Sequence, residues 1–294
     1  MTDWSAIAGA IGNAGGGRVD PSTSRTVGGG CINRAYRLGN GPQVYFVKLN
    51  GPERLAMFEA EAAGLEEMAD TGTMRVPLPL CTGTTGGESY IVMEYIALGG
   101  AGAADAGEAG HRLAAMHLAS RADFGWDRDN TIGSTHQPNH PEPDWVTFWG
   151  RYRLGFQLEL ATRNGYVRRL RDQGERLLAA LPALLDHDPV PSLLHGDLWG
   201  GNLGFDQDGH PVIFDPAVYY GDREADIAMT ELFGGFGKDF YAAYNAAWAL
   251  DPGYRTRKDL YNLYHILNHL NLFGTGYLGQ AEGMMQRLLA QVHW

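Results

Sequence analysis

Strand-like and helix-like segments fall in different parts of this chain of 294 residues. The spacing of apolar residues predicts a short helix over 3–14, then the order β-β-β-α-β-β up to residue 96, with its helix over 52–72. From residue 108 onward nearly every segment has helical spacing. This segregation is typical of an α+β fold with a small β-rich lobe and a larger, mostly helical lobe.

The boundary between the two lobes is predicted from composition. The segment ALGGAGAADAGEAG (97–110) is small, polar and flexible, as junctions between domains often are. We therefore expect an N-lobe over 1–96, with a five-stranded sheet and one helix, and a helical C-lobe over 97–294. Hydrophobic residues make up 44% of the chain, enough for a real core.

Charge and cysteine content exclude several classes of protein. The formal net charge is −11 and no dense basic run is present beyond RRLR (168–171), so we expect no nucleic-acid partner. Two cysteines are too few for a disulfide framework. No apolar run reaches the roughly 20 residues of a membrane span, and no secretory signal is evident. These features favour a cytoplasmic protein without a membrane partner. The sequence leaves open whether it is a monomer or a homodimer.

The stretch LLHGDLWGGN (193–202) places titratable and amide side chains on a glycine-rich loop. Two short apolar runs flank the turn DQDG that follows, and if they pair as a hairpin, its open end brings Asn202 and Asp215 side by side. Carboxylate and amide oxygens suit Mg²⁺, so these two are candidate metal ligands. Asp197, on the loop just before, is then the candidate base that orients a substrate hydroxyl.

The same residues resemble a kinase. HGDLWGGN is similar to the kinase catalytic loop H-x-D-L-x-x-x-N, and IFD (213–215) to the strand that ends in the metal-binding aspartate. The resemblance implies a protein kinase-like two-lobe fold that uses ATP and Mg²⁺. It implies Lys48 as the phosphate-binding lysine, Glu61 as its ion-pair partner, a glycine loop of weak spacing and a hinge for adenine. The nucleotide-binding residues so implied are Gly28, Gly29, Gly30, Lys48, Glu61, Met93, Glu94, Tyr95 and Ile96.

Departures from the protein kinases narrow the resemblance. Gly196 replaces their arginine and DPA (215–217) replaces D-F-G, as in the aminoglycoside and choline kinase group. Within that group, DNTIGSTHQPN (129–139), the segment 214–236 and LYHILNHLNLFGTGY (263–277) resemble the fructosamine (ketosamine) kinase family. That family phosphorylates the sugar 3-hydroxyl of glycated amines, so the implied partner is a small-molecule or protein-bound glycated amine. The phosphate then destabilises the adduct and frees the amine.

The acceptor pocket is less defined by sequence. Trp199 either stacks on the acceptor or is simply packed, whereas Asp222 and Glu224 are expected to attract a cationic amine. Gln137 and Asn139 are further candidates, from the loop STHQPN. Asp226 is predicted to be an N-cap or a brace for the catalytic loop, and His195 an anchor.

Three alternatives remain open at this stage. A kinase of the same fold that acts on an aminoglycoside, a choline-like amine or a sugar would share the same core motifs. A nucleotide-binding pseudokinase is disfavoured by the intact Lys48, Glu61, Asp197, Asn202 and Asp215. Cys31, in the glycine loop, is either a small loop residue or a redox-sensitive thiol.

Overall fold

The computed structural model describes residues 2–28, 32–41, 43–99, 103–166 and 169–292. The chain folds into two compact units. Unit 1 contains Met1–Asp105 and Leu203–Pro216, and unit 2 contains Ala106–Asn202 and Ala217–Trp294.

Unit 1 is the β-rich part of the protein. Its helices and strands are α1 (Trp4–Asn13), β1 (Arg25–Val27), β2 (Arg34–Asn40), β3 (Gln43–Asn50), α2 (Leu55–Asp70), β4 (Pro79–Thr85) and β5 (Glu88–Glu94), with 3₁₀ turns at Pro21–Thr23 and Pro52–Arg54. The five strands form one antiparallel sheet in the order β1-β2-β3-β5-β4. The predicted sheet and its helix are thus confirmed.

Alternation along β3 sorts its side chains onto two faces. Val47 and Leu49 are buried in a core cluster with Ile7 and Ile11 of α1. Lys48 points to the other face and is nonetheless buried, with 5% of its surface exposed. A buried lysine is rare unless it is paired, which makes this strand the natural place to look for a functional group.

Unit 2 holds most of the helices. Its elements are α3 (Ala103–His117, which begins in unit 1), β6 (Asn130–Ile132), β7 (Thr135–Gln137), α4 (Trp145–Phe148), a π-helical stretch (Trp149–Gly155), α5 (Phe156–Arg163), α6 (Arg169–Leu184), β8 (Ser192–Leu194), β11 (Tyr219–Gly221), α7 (Glu224–Leu232), α8 (Lys238–Ala247), α9 (Tyr254–Phe273), a 3₁₀ turn (Thr275–Tyr277) and α10 (Leu278–Gln291). The long helix α9 is buried on most of its sides and packs against α7 and α10. It forms the centre of this unit.

Between β8 and β11 the chain leaves unit 2 and forms the hairpin of β9 (Leu203–Phe205) and β10 (Pro211–Ile213). The strands are antiparallel, with Leu203 opposite Ile213, as the sequence predicted. The predicted domains placed this hairpin in the C-lobe, whereas the structure groups it with the sheet. The reason is backbone pairing: the N–H of Ile213 donates to Arg75, and Phe205 accepts from Gly99.

Two further details differ from the sequence prediction. Helix α3 begins at Ala103, inside the predicted flexible junction 97–110, because its alanine-rich sequence favours helix. The short pairs β6–β7 and β8–β11 were not predicted, since three-residue strands are too short to show periodicity. Among the helices that the structure describes, none is both long and apolar enough to cross a membrane.

Candidate active site

The central feature of unit 1 is the side chain of Lys48. Its Nζ lies 2.5 Å from Oε1 of Glu61, on α2, and 2.5 Å from Oδ1 of Asp215, beyond the end of β10. Burial by itself would disfavour the ammonium, but the attraction of Asp215 and Glu61 outweighs it and raises the pKa of Lys48. The lysine is therefore charged at neutral pH and held at a fixed place. The structure brings together these three predicted residues.

Asp215 has an unusual backbone. Its φ is +58°, and no other non-glycine residue in the described part of the chain has a positive φ. This conformation costs an L-residue about 1 kcal/mol, although aspartate tolerates it better than most. Local strain of this kind is found at functional sites. Its side chain is 46% exposed, so the carboxylate contacts Lys48 and also faces solvent.

Unit 2 contains the loop that the sequence marked as catalytic. Asp226, near the start of α7, accepts a hydrogen bond at each oxygen: from the N–H of His195 (2.7 Å) and from the N–H of Gly196 (2.8 Å). Burial opposes its charge, but His117, 3.3 Å away, and these backbone groups outweigh it and lower the pKa of Asp226. Asp226 lies inside the helix and is not its N-cap. It is the brace of the loop.

Position 196 of this loop has no room for a side chain. Its φ is +80°, and a Cβ there would lie 2.1 Å from the carbonyl oxygen of Ala217. The N–H of Ala217 in turn donates to the carbonyl of His195 at 2.8 Å. The loop is thus pressed against the segment at Ala217, and only glycine fits the contact. His195 is fully buried and acts as an anchor.

Asp197 and Asn202 are directly connected. The Nδ2 of Asn202 lies 2.9 Å from the carbonyl oxygen of Asp197 and 3.4 Å from its Oδ2. The N–H of Asp197 donates to Nδ1 of His195 at 3.2 Å. These bonds orient the amide of Asn202 with its nitrogen toward Asp197. Asn202 belongs to unit 2 and Asp215 to unit 1, so their role as joint metal ligands stays a prediction.

The predicted nucleotide-binding residues are only partly described. Gly28 follows β1, and an added Cβ would meet nothing within 4 Å. Gly29, Gly30 and Cys31 lie outside the described residues.

The hinge predicted from IVMEY lies at the end of β5. Met93 is buried, and the N–H of Glu94 already donates to Leu78 at 2.8 Å. The carboxylate of Glu94 is paired with Arg75 at 2.9 Å. The backbone of Tyr95 and Ile96 follows directly after the strand.

Among the acceptor candidates, Trp199 is the one that reaches the surface, with 39% of its area exposed. Its ring lies over Gly201 and meets Phe233 edge-on, with ring centroids 6.0 Å apart. Phe233 is also partly exposed and lies 5.4 Å from the ring of His269. Trp199, Phe233 and His269 form a partly exposed aromatic surface, and Trp199 is two residues after Asp197 in the chain.

Asp222 and Glu224 are both buried, at 2% and 0% exposure. Asp222 pairs with His187 at 2.7 Å and accepts from Tyr261, and Glu224 pairs with Arg257 at 2.6 Å. Carboxylates that are satisfied inside the protein do not attract an amine from solvent. This arrangement argues against the predicted contact and gives both residues a structural role.

Gln137 and Asn139 are buried as well. Gln137 donates to Asn130 at 2.8 Å, and Asn139 accepts from the buried Arg153 at 2.6 Å. Gln137 also donates to the carbonyl of Ala217 at 3.1 Å, so it supports the segment against which Gly196 packs. Their burial argues against direct acceptor contact and indicates a supporting role.

Two residues of the site escaped sequence reasoning, His117 and Arg75. His117 braces Asp226 across 109 positions of the chain, and Arg75 pairs with Asp206 across 131. No local pattern marks either residue, since each is defined by a distant partner.

Comparison with known proteins places the chain in a family. The profile of the fructosamine kinase family matches residues 3–291. A probable ketoamine kinase of Synechocystis is 48% identical and covers 97% of both chains. The chloroplastic protein-ribulosamine 3-kinase of Arabidopsis thaliana is 46% identical, over 90% of this chain and 82% of that protein.

Solved structures of other proteins also resemble this chain. A putative fructosamine-3-kinase from Haemophilus somnus superposes with a TM-score of 0.89 at 28% identity, over 97% of both chains. An aminoglycoside phosphotransferase superposes with a TM-score of 0.63 at 14% identity, over 96% of this chain and 97% of that one. The second likeness concerns the fold alone and agrees with the predicted kinase-like architecture. With the family profile matched over nearly its whole length, the chain belongs to the fructosamine kinase family.

Proposed function

We propose that the protein is an ATP-dependent ketosamine 3-kinase, which transfers the γ-phosphoryl group of ATP to the sugar 3-hydroxyl of a fructosamine or ribulosamine. Relatives named ketoamine kinase and protein-ribulosamine 3-kinase, 48% and 46% identical, support this choice of acceptor. The assignment of phosphoryl transfer is supported above all by the charged Lys48, which is paired with Glu61 and Asp215. A cation fixed in this way suits the phosphates of a nucleotide.

Lys48 has three N–H donors. Two of them point to Glu61 and Asp215, and the third remains for the α/β phosphates of ATP. We assign Gly28, Gly29 and Gly30 to the close approach of backbone N–H groups to phosphate. The adenine contact falls to the hinge Met93–Ile96, through the backbone of Tyr95 or Ile96, because the N–H of Glu94 is already used.

Asp197 accepts the hydrogen of the acceptor hydroxyl and orients its oxygen for in-line attack. Asn202 and His195 hold the ends of its short loop, and Asp226 holds the backbone just before it. Phosphoryl transfer depends mostly on positioning and electrostatics. A rigid loop of this kind is therefore what the reaction requires from the protein.

Mg²⁺ is the metal that the donor set suits. Asp215 offers a partly exposed carboxylate, and the Oδ1 of Asn202 is directed away from the Asp197 contact made by Nδ2. Both are hard oxygen donors of the type that Mg²⁺ takes together with phosphate and water. When bound, the ion offsets the charge of the phosphates.

On the acceptor side we assign contact with the sugar or its amine-bearing group to Trp199. Its partly exposed ring offers a flat apolar face, and Phe233 holds it edge-on. The acceptor amine is either a small molecule or a lysine of a protein. A cytoplasmic location and a monomer or homodimer complete the proposal.

The test is an acceptor panel. ATP consumption is measured with ribulosamine-lysine and fructosamine-lysine, and in parallel with an aminoglycoside, choline and free sugars. We expect turnover with the ketosamines and release of the free amine as the 3-phosphate decomposes. Turnover with an aminoglycoside or choline alone would refute the ketosamine assignment, and no ATP consumption with any acceptor would indicate a pseudokinase.

A further inference from the structure

Arg75 lies just before β4 and joins two carboxylates of unit 1. Its Nη1 donates to Oδ2 of Asp206 at 2.7 Å, and its Nη2 donates to Oε1 of Glu94 at 2.9 Å. The planar guanidinium presents its donors in a fixed fork, so one side chain satisfies both partners at once. Glu94 is the last residue of β5, in the hinge assigned to adenine, and Asp206 opens the turn of the β9–β10 hairpin.

Asp206 is well prepared for this contact. It is 5% exposed, and its Oδ1 accepts from the N–H groups of Asp208 and His210 at 3.0 and 2.9 Å. The hydrogen bond from His210 is the largest influence on the carboxyl and lowers the pKa of Asp206. The carboxylate thus shapes the turn with one oxygen and binds Arg75 with the other.

The backbone of Arg75 holds the other strand of the hairpin. Its carbonyl oxygen accepts from the N–H of Ile213 at 3.0 Å. Ile213 is the last residue of β10, two positions before Asp215. A single residue thus contacts the hairpin at its turn and at its last residue, and contacts the hinge as well.

We propose that Arg75 is a positioning residue, which fixes the hairpin ending at Asp215 against the end of β5 and so sets the affinity for magnesium-bound ATP. The inference rests on the proposed function, because it assigns Asp215 and the hinge to the same nucleotide. A shift of the hairpin moves Asp215 relative to Lys48 and to the adenine-binding backbone. The acceptor is bound by other residues and is not affected.

Three variants test this role. Arg75→Met removes both carboxylate contacts and keeps the backbone bond to Ile213. Arg75→Lys keeps the charge but reaches only one carboxylate. Asp206→Asn keeps an oxygen for the two N–H groups of the turn and loses its charge toward Arg75. Arg171→Met is the matched control, since it removes an exposed ion pair with Glu175 on α6.

The measurements are the KM for ATP, the Mg²⁺ concentration for half-maximal rate, the KM for the ketosamine, the Tm, and binding of a non-hydrolysable ATP analogue with Mg²⁺. We expect Arg75→Met to raise the first two about three- to tenfold, with acceptor KM within about twofold of the wild type. For Arg75→Lys we expect values of both quantities between those of the wild type and Arg75→Met. The control variant Arg171→Met should resemble the wild type. The effects of Arg75→Met and Asp206→Asn are non-additive when combined, because the two side chains share one contact.

The possible results distinguish a failure of this inference from a failure of the proposed function. Unchanged ATP and Mg²⁺ dependence in both Arg75 variants, or equal rises in the ATP and acceptor KM, overturns the positioning role and leaves the kinase assignment intact. A lower Tm with no change in either dependence overturns it as well. Wild-type protein that binds no Mg²⁺-ATP analogue overturns the function and the inference together.

Discussion

The ammonium nitrogen of Lys48 lies 2.5 Å from Oδ1 of Asp215, although 167 positions of the chain separate the two residues. Glu61, on α2, pairs with the same nitrogen. The buried cation and its two carboxylates therefore form one fixed electrostatic unit. We expect its disruption to affect the interaction with the phosphates of ATP most strongly.

Replacement of Lys48 by methionine removes the cation and leaves Glu61 facing Asp215. We expect kcat/KM for ATP to fall about 10²- to 10³-fold, the size of effect seen when one positioned charge-stabilising group is lost. Steady-state kinetics at varied ATP measure it. Lys258→Met is the control, because Lys258 pairs with Glu231 in a partly exposed bridge, and similar losses in both variants would contradict the assignment.

Asp197→Asn tests the base. The variant keeps the backbone carbonyl that holds Asn202, so we expect a folded protein that binds ATP with wild-type affinity. Turnover should fall about 10²- to 10⁴-fold, because the amide no longer accepts the hydroxyl hydrogen. The measurement is kcat with a ketosamine alongside nucleotide binding. Near-normal kcat would refute the role, and the exposed Asp172→Asn serves as the reference.

Asp226→Asn should weaken the brace of the catalytic loop. One carboxylate oxygen becomes an NH₂ group, so the N–H of His195 or Gly196 loses its acceptor, at a cost of about 1–3 kcal/mol in the free energy of unfolding at pH 7. Urea unfolding measures the loss, and the turnover rate should fall with it.

The pH dependence of that loss has a defined sign. The folded pKa of Asp226 is lowered, and the unfolded value is about 3.9. Its contribution to stability is therefore complete above about pH 4 and disappears as the pH falls through the folded pKa. The difference between wild type and Asp226→Asn should narrow in acid. A difference that stays constant from pH 7 into that range would contradict the charged brace.

Gly196→Ala tests the close contact with Ala217. A Cβ at 2.1 Å from a backbone oxygen, on a residue with φ of +80°, forces the loop to move, and we expect about 1–3 kcal/mol of lost stability. Because Asp197 is the next residue, kcat should fall as well. Gly200→Ala is the matched control in the same loop, since its Cβ meets nothing within 4 Å. It should stay within about 0.5 kcal/mol of the wild type.

Local patterns were sufficient for much of this protein. The alternation in β3 placed Lys48 on the face opposite Val47. The helical spacing predicted a helix over 52–72, a range that includes the observed α2. The turn DQDG and its flanking apolar runs predicted the β9–β10 hairpin. These features depend on residues a few positions apart, so one sequence is enough to read them.

The burial of polar side chains could not be predicted from local sequence patterns. Gln137 and Asp222 stand in family-like motifs and were expected at the acceptor, yet each is buried against internal partners. Gln137 ends the three-residue strand β7 and Asp222 directly follows β11, and segments this short show no periodicity that separates inward from outward positions. Their roles follow from what surrounds them in the folded unit.

The sequence by itself determined the fold class, the order of the elements from β1 to β5 and the residue types of the site. Only the tertiary structure decided which distant groups satisfy each charge, as with Lys48 and Asp215, His117 and Asp226, or Arg75 and Asp206. It also decided that the hairpin belongs with the sheet. The physical reason is that a buried charge must find its partner wherever packing brings one, at any separation along the chain.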